Sequence, residues 1–103
     1  MSDEFPQRVE LDRIIHEPAR LIITTILNNV ESADFLYLMH ATGLTKGNLS
    51  SHLTKLENAG YVSIEKTYRG KLPLTICGLT DSGRTAYQNY RNHLSKLIDI
   101  HPQ

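Results

Sequence analysis

The sequence predicts a mainly α-helical fold with one small β-hairpin, an α+β class. Apolar residues recur at helical spacing over most of the chain, whereas residues 61–79 alternate apolar and polar side chains around a short basic turn. The length of 103 residues indicates a single domain over residues 1–103. A monomer of this size buries only roughly two-thirds of its unfolded surface. The size of the chain therefore favours association with a partner.

Two helices are predicted before the central part of the chain. Apolar residues at positions 5–15 predict a short helix, which we assign to an N-terminal helical extension over residues 1–17. Pro18 interrupts that pattern and suits the first turn of a second helix, where its missing N–H costs nothing. Residues 21–27 continue at helical spacing and predict a buried helix. Residues 32–34 then fit either a brief strand or the N-cap of the next helix.

The next two predicted helices are joined by a short turn. Residues 35–41 form the first apolar pattern, and Gly43 ends it by supplying a left-handed conformation. Thr45 is a good N-cap for a helix over residues 46–58. The apolar side of that helix is made by Leu49, Leu53 and Leu56. Two helices joined by a short turn that contains glycine constitute a helix-turn-helix unit.

The opposite face of the helix over residues 46–58 is small, polar and free of acidic residues. With residues placed about 100° apart, this face carries Gly47, Asn48, Ser51, Thr54 and Lys55. Such a face suits base edges and phosphates better than an ordinary solvated surface, which is the alternative. His52 lies at the boundary between the faces, and it fits either a phosphate contact or a packed side chain.

A hairpin and a final helix complete the predicted fold. Residues 61–67 and 72–79 are the strands, and Pro73 stands near the start of the second strand, where a missing donor is tolerated. The turn at 68–71 is basic, as a contact with phosphate or the minor groove requires, although basic turns also solubilise hairpins. A three-helix core followed by such a wing, with N- and C-terminal helices added, is the winged helix-turn-helix architecture.

The C-terminal helix, over residues 80–100, carries an apolar and aromatic stripe. Its members are spaced 3, 4, 3 and 4 residues apart: Tyr87, Tyr90, Leu94, Leu97 and His101. The stripe fits packing on the chain's own core or a contact between two copies, because two heptads are shorter than a coiled coil requires. We assign the helix to dimerisation.

The charge is distributed unevenly, although the whole chain has a net charge of zero. Residues 1–31 carry six acidic and three basic side chains, a net charge of −3. Residues 45–71 carry five basic and two acidic side chains, a net charge of +3. The positive charge therefore coincides with the predicted helix-turn-helix and wing.

Other chemistry finds little support in the sequence. Cys77 is the single cysteine, so an internal disulfide and a cysteine-based zinc cluster are excluded; it fits either a redox switch or a buried apolar residue. The five histidines have no metal-ligand spacing, although His93 or His101 could pair across a dimer.

No catalytic motif is present, so we expect neither an enzyme nor a cofactor. Wholly apolar runs, such as the three residues 21–23, are far shorter than a bilayer span, which predicts a cytoplasmic protein without a membrane span.

Residues 33–90 resemble the winged-helix DNA-binding domain of MarR-like and ArsR-like transcriptional regulators, and most closely the small stand-alone branch. The resemblance rests on ADF at 33–35, TGLTKGNLSSHLTKLENAGYV at 42–62, the basic wing at 66–71, LPLT at 72–75 and LTDSGRTAYQNY at 79–90. The paired cysteines of ArsR-like metal sensors are missing, so no metal site is expected. In MarR-like proteins a small molecule often binds between the DNA-binding lobe and the dimer helices, but no residue identifies such an effector here.

The resemblance implies a homodimer in which the recognition helix, residues 46–58, enters the major groove of double-stranded DNA and the wing, residues 66–73, contacts the flanking backbone. The implied DNA contacts are Thr45, Lys46, Asn48, Ser50, Ser51, His52, Lys55, Lys66, Arg69 and Lys71. The expected dimer contacts are Phe5, Val9, Tyr87, Tyr90, Leu94 and Leu97.

The sequence thus predicts a homodimeric transcriptional regulator, a repressor, that binds a pseudo-palindromic operator with half-sites roughly 34 Å apart. The alternative belongs to another class: a winged-helix module that docks a partner protein without binding DNA. The neutral net charge of the chain motivates this alternative.

Overall fold

The computed structural model describes residues 10–99, which form four α-helices and a three-stranded antiparallel sheet. In chain order these are α1 (Pro18–Asn28), β1 (Ala33–Asp34), α2 (Phe35–Thr42), α3 (Lys46–Asn58), β2 (Val62–Arg69), β3 (Leu72–Leu79) and α4 (Asp81–Ile98). This order confirms the predicted α+β winged helix-turn-helix architecture.

The segment before α1 differs from the predicted helix over residues 5–15. The part that the structure describes, residues 10–15, contains a turn and no helix. The Asp12 carboxylate accepts hydrogen bonds from the backbone N–H groups of Ile14 and Ile15, at 2.8 and 3.1 Å. An aspartate side chain that takes nearby N–H groups in this way favours a turn over a helix. The apolar spacing that suggested a helix has another cause, since Ile15 is fully buried in the core.

The predicted ends of α1, α2 and α3 are confirmed. Pro18 lies in the first turn of α1, and the Glu17 side chain caps that helix by accepting from the Arg20 N–H. Asp34 fulfils both alternatives for its segment, because it ends β1 and also caps α2. Gly43 ends α2 with a φ of 72°, and Thr45 Oγ1 caps α3 by accepting from the Asn48 N–H at 3.1 Å.

The sheet has the strand order β1-β3-β2, and the hairpin is longer and tighter than predicted. The ladder between β2 and β3 continues to the pair Arg69–Leu72, so the turn consists of Gly70 and Lys71 alone. Gly70 has a φ of 63°, a conformation that most side chains disfavour. Because side chains alternate along a strand, Lys66 lies on the face toward α3 and Arg69 on the opposite face.

Two clusters of buried side chains hold these elements together. The larger joins α1, α2, α3 and the sheet: Ile23, Leu27, Leu38, Leu49, Leu53, Leu56, Val62, Cys77 and Leu79. The smaller joins the segment before α1 to α4: Ile15, Tyr87 and Tyr90. Tyr61 packs against both clusters. Tyr61 therefore links α4 to the helix-turn-helix, in addition to direct contacts of α4 with α1 such as the one between Tyr87 and Thr25.

Gly83 fixes how closely α4 approaches the start of β2. A Cβ atom at this position would lie 2.1 Å from the carbonyl oxygen of Tyr61, which is far inside van der Waals contact. The close approach is accompanied by backbone hydrogen bonding, since the Thr80 N–H donates to the same Tyr61 carbonyl at 3.0 Å. Position 83 therefore requires glycine, because there is no space for a Cβ atom.

Candidate nucleic-acid interface

The surface of α3 is divided into three strips that flank its buried leucines. The outward strip carries Asn48, Ser51 and Lys55, all of them exposed. A second strip faces the sheet and carries Lys46, Ser50 and Thr54, which are also exposed at its rim. His52 lies on the third side, toward α1. Among the predicted DNA contacts on α3, His52 therefore lies apart from the two exposed strips.

His52 is held by α1, which favours the packed role of the two that the sequence left open. Its Nδ1 atom accepts a hydrogen bond from Arg20 Nη1 at 3.1 Å, and the same atom lies 3.8 Å from Glu17 Oε1. The imidazole side chain is only 20% exposed. His52 is a packed residue at the junction of α1 and α3, and in its neutral form the ring proton lies on Nε2 because Nδ1 is the acceptor.

Arg20 is the residue at the centre of this junction, and the sequence analysis did not single it out. It is 9% exposed, and its Nε donates to the Ile14 carbonyl at 2.6 Å. A buried guanidinium needs such partners, because an unpaired buried charge is costly. Through these bonds Arg20 joins the N-terminal turn, α1 and the recognition helix. The sequence offered one sign of this role, because Arg20 is a lone arginine in the otherwise apolar start of α1.

The charge of Glu17 is stabilised at this junction. Partial burial raises the pKa of Glu17, but the hydrogen bond from the Arg20 backbone N–H and the nearby Arg20 charge are among the effects that outweigh burial. The pKa of Glu17 is therefore lowered overall. The carboxylate remains ionised and caps α1, whose positive end it complements.

The wing does not present its basic residues as one group. Lys66 faces α3, Lys71 lies in the turn, and Arg69 lines a depression on the far face of the sheet with Val30, Leu74 and other residues. All three basic side chains are exposed. Lys66 is thus placed beside the recognition helix, whereas Arg69 lies on the opposite face of the sheet and Lys71 at the tip of the hairpin.

A groove of about 480 Å³ separates α3 from the sheet. Apolar side chains line it in part: Phe35, Leu53 and Ile64. Its polar lining comes from Lys46, Ser50, Thr54 and Glu57 on α3 and from Lys66 and Thr75 on the sheet. Thr75 pairs with Lys66 across β2 and β3. The groove brings together one lysine of the recognition helix and one of the wing.

A second groove, of about 800 Å³, lies between the N-terminal segment and α4. Polar groups on its walls include Arg13, Asn89, His93 and the Tyr61 hydroxyl. Tyr61 Oη donates to Asp12 Oδ2 at 2.5 Å. This hydrogen bond, together with burial and the Asp12 charge, raises the pKa of Tyr61 to about 12.

The stripe on α4 divides into a buried and an exposed half. Tyr87 and Tyr90 are 6% and 2% exposed, and their hydroxyls contact Thr25 Oγ1 and His16 Nδ1, both at 2.8 Å. Burial, with a contribution from Tyr87, raises the pKa of Tyr90. The two tyrosines are thus covered by their own chain, as the packing interpretation of the stripe proposed.

The other residues expected at a dimer contact have different positions. Leu94 is half-buried against the smaller cluster, whereas Leu97 and its neighbour Ile98 are 42% and 68% exposed. These exposed side chains are the part of α4 that a second copy could cover. Phe5, Val9 and His101 lie outside the described residues.

Cys77 has the environment of a core residue. It is fully buried in the larger cluster, and burial, together with the Glu57 and Asp34 charges, raises the pKa of its thiol to about 11. The reactive form of cysteine is the thiolate, which this environment disfavours. The structure thus supports the buried apolar interpretation of Cys77.

Metal-ligating and membrane-spanning features were also sought in residues 10–99. Within that range no three side chains of histidine, cysteine, aspartate or glutamate come together as metal ligands would. No helix of the same range has the length and apolar character needed to cross a bilayer.

The fold and the exposed polar strip of α3 define the class of this protein as a winged-helix domain. The chain belongs to the winged helix DNA-binding domain family, which it matches over residues 19–98. It is similar to an uncharacterized protein of Methanocaldococcus jannaschii, with 37% identity over 85 residues that cover 82% of this chain and 92% of the relative.

Solved structures agree with this assignment. A transcriptional regulator homologue from Pyrococcus horikoshii OT3 has a TM-score of 0.82 and 31% identity, covering 88% of this chain and 90% of its own. NadR, in complex with 4-hydroxyphenylacetate, has a TM-score of 0.68 and 22% identity, covering 84% of this chain and 63% of its own. The chain has the winged-helix fold of transcriptional regulators.

Proposed function

We propose that this protein is a homodimeric transcriptional repressor that acts in the cytoplasm. One observation carries the proposal: the outward strip of α3, with Asn48, Ser51 and Lys55, is exposed and has no acidic residue, and the adjacent strip faces a wing strand that carries Lys66. Base edges and phosphates are recognised by amide, hydroxyl and ammonium groups of this kind. α3 would enter the major groove, and the tip of the hairpin would reach the flanking backbone.

The residues that would contact DNA are Thr45, Lys46, Asn48, Ser50, Ser51, Lys55, Lys66 and Lys71. Asn48 and Ser51 would contact bases, because short polar side chains on the outward strip can reach base edges. Lys55 would contact a phosphate. Arg69 would contribute only where DNA or a second copy approaches the far face of the sheet. Arg20 and His52 would hold α3 in place.

The decisive experiment is a gel-shift titration on random genomic DNA fragments at low salt. Retardation at micromolar protein, weakening steeply as salt rises, is the expected result, because neutralised phosphates release counterions. Bound fragments are then selected and sequenced. Enrichment of a two-fold related motif with half-sites roughly 34 Å apart would support a dimer on one operator. A complete lack of retardation would overturn the proposal in favour of a module that docks another protein.

Repression is tested with a reporter gene that carries the selected fragment. We expect lower expression in the presence of the protein, because a dimer bound across a promoter excludes other proteins from it. Higher expression would assign the protein to the activators. The control is the same reporter with both half-sites scrambled.

The groove between the N-terminal segment and α4 is the site that we propose for a small-molecule effector. It has the size of a ligand pocket, and it lies beside Tyr61, which touches both core clusters. The NadR structure shows that a protein of this fold binds an aromatic carboxylate. 4-Hydroxyphenylacetate is therefore the first probe, with a rise in the melting temperature as the expected signal. If millimolar 4-hydroxyphenylacetate leaves the melting temperature unchanged both in wild type and in Asn89→Ala, this result would count against an effector related to that compound.

A further inference from the structure

The face of the sheet that is turned away from α3, here termed the far face, carries a stripe of aliphatic side chains. Side chains alternate along a strand, so every second residue of β3 lies on this face: Leu72, Leu74 and Ile76. Leu72 is 70% exposed, and the other two are half-buried. The solvated face of an antiparallel sheet normally carries polar residues. Three aliphatic side chains in a row are therefore unusual for a face that stays in water.

Opposite charges lie at the two ends of this stripe. Glu65 of β2 pairs with Ile76, so an acidic side chain lies at the inner end. Arg69 pairs with Leu72, so a basic side chain lies at the end near the hairpin tip. Asp34 of β1 pairs with Ile76 from its other side and adds a second acid to the inner end. Glu65 and Arg69 are exposed, and within residues 10–99 neither takes part in an ion pair.

The middle of the far face lies at the cross-strand pair of Thr67 and Leu74. Glu65 and Arg69 are each two residues from Thr67, one toward each end of β2. A two-fold axis that lies between two stacked sheets and crosses the strands at this pair reverses the strand direction in the second copy. Arg69 of each copy then lies opposite Glu65 of the other, on both sides of the axis. The charges of the far face are therefore complementary to themselves.

The same rotation also matches the aliphatic stripe. Leu72 of each copy lies opposite Ile76 of the other, and the two Leu74 side chains meet at the axis. Stacked sheets pack about 10 Å apart, a separation that interdigitating aliphatic side chains fill. A depression of about 360 Å³ beside Leu74, lined in part by Val30 and Tyr37, adds further apolar surface at the edge of the contact.

We propose that two copies of this chain associate through the far faces of their sheets. A second copy is the occupant, because opposite charges at equal distances from one central pair are what a two-fold contact requires. The far face is opposite to the one beside α3, so this contact leaves the recognition helix uncovered. It also differs from the contact assigned to the exposed end of α4. With two such interfaces on each chain, dimers joined through α4 would assemble further.

Sedimentation velocity of the full chain without DNA tests the contact. The aliphatic stripe is short, so we expect a weak association, with a dissociation constant on the order of 100 µM. The mean sedimentation coefficient of wild type should keep rising through that range. Arg69→Glu and Glu65→Arg should each weaken the association at least about tenfold, because like charges then face each other at both ends of the contact.

Mixing these two variants distinguishes a two-fold contact from a general effect of charge. In the mixture, a chain with two acids at these positions meets a chain with two bases, so both ends become attractive. The mixture should therefore associate, although neither variant does so alone, and the double variant Glu65→Arg/Arg69→Glu should associate like wild type. Lys55→Glu and Glu57→Arg change the net charge equally at exposed positions of α3, and each should associate like wild type. A mixture that stays unassociated while wild type associates would overturn the two-fold arrangement.

Leu72→Ser and Tyr68→Ser form a matched pair for the apolar part of the contact. The two side chains are 70% and 71% exposed, so neither substitution opens the core. They lie on opposite faces of the same end of the hairpin. Leu72→Ser should weaken the association about tenfold, and Tyr68→Ser should leave it unchanged.

Thermal unfolding of every variant checks that the fold is retained. The same concentration dependence in wild type and in all the far-face variants would overturn the proposal, as would equal effects of Leu72→Ser and Tyr68→Ser. Because no DNA is present, failure of the proposed function in the gel shift would leave this contact standing, and loss of the contact would leave DNA binding standing.

Discussion

At the residue scale, the outward strip of α3 separates side chains that would set sequence preference from side chains that would set affinity. Asn48 is exposed, and its amide offers both donors and an acceptor to a base edge. Lys55 is equally exposed but offers only a point charge. The two residues should therefore respond differently to substitution.

We expect Lys55→Ala to weaken binding to all duplexes alike and to lower the salt slope by about 0.9. Asn48→Ala should instead change the ranking of duplexes, with about 1–3 kcal/mol of discrimination lost at one base pair. Fluorescence anisotropy on a selected duplex and its single-base variants measures both effects. A uniform loss in Asn48→Ala would assign this residue to the backbone contacts.

Tyr61 should affect stability at alkaline pH. Its pKa in the folded protein is raised from 10.0 to about 12, so the hydrogen bond to Asp12 favours the protonated form. The stability that it contributes is fully present below pH 10.0 and is lost as the pH rises through about 12. Wild type should therefore exceed Tyr61→Phe in free energy of unfolding at neutral pH, and the difference should shrink over this range.

Chemical denaturation of both proteins across that pH range checks the prediction. Cys77, whose pKa is raised to about 11, is common to both proteins, so its titration cancels in the difference. A difference that stays constant up to pH 12 would show that the Tyr61–Asp12 bond does not control this loss.

At the element scale, local signals in the sequence were sufficient to predict helix ends and turns. Contacts between residues that are distant in the chain could not be predicted. Gly43 and Thr45 predicted the turn between α2 and α3 because left-handed glycine and threonine caps act within a few residues. The bond from Arg20 to His52 spans 32 positions and has no local signature. The helix predicted over residues 5–15 was wrong in its described part because Asp12 caps a turn, a detail that apolar spacing does not reveal.

The wing, too, could be predicted only in part from the sequence. Alternating apolar and polar residues predicted its strands, and the basic residues between them predicted its tip. The last hydrogen-bonded pair of the hairpin could not be predicted in this way. This last pair places Arg69 in the strand instead of in the turn, and therefore on the face of the sheet opposite Lys66. The pairing of Lys66 with Thr75 depends on register, which turn geometry determines.

The contact between α4 and the start of β2 provides a test of packing. Gly83→Ala should destabilise the protein by about 1–3 kcal/mol, because the added methyl group would overlap the Tyr61 carbonyl and displace α4. Gly47→Ala is the matched control: it lies on α3 with no atom within 4 Å of the added Cβ, and it should stabilise by about 0.5–1 kcal/mol. Thermal unfolding compares them, and equal effects would show that Gly83 is not restricted by space.

At the scale of the whole molecule, the described chain leaves part of α4 uncovered. Tyr87 and Tyr90 are buried by their own chain, but Leu97 and Ile98 beyond them are exposed. A single chain of this size can build only a small hydrophobic core. Exposed apolar side chains at one end of a helix therefore favour dimerisation through that end.

Leu97→Asp should convert a dimer to a monomer at tens of micromolar protein, an order of magnitude that suits a modest interface. Sedimentation velocity measures the change. Leu36→Asp on α2 is the control, since that leucine is 61% exposed and lies far from α4 in the chain. Dimers in both variants, or a monomer in wild type, would contradict the assignment of α4 to dimerisation.

The alternation of the hairpin has a consequence for how the wing can change in evolution. Residues added at Gly70 and Lys71 lengthen the tip and leave the Lys66–Thr75 pair intact. A single residue inserted between Val62 and Lys66 would rotate every later side chain of β2 to the other face. We therefore expect related chains to vary freely in the length of the tip, and to preserve an even spacing between the start of β2 and its lysine.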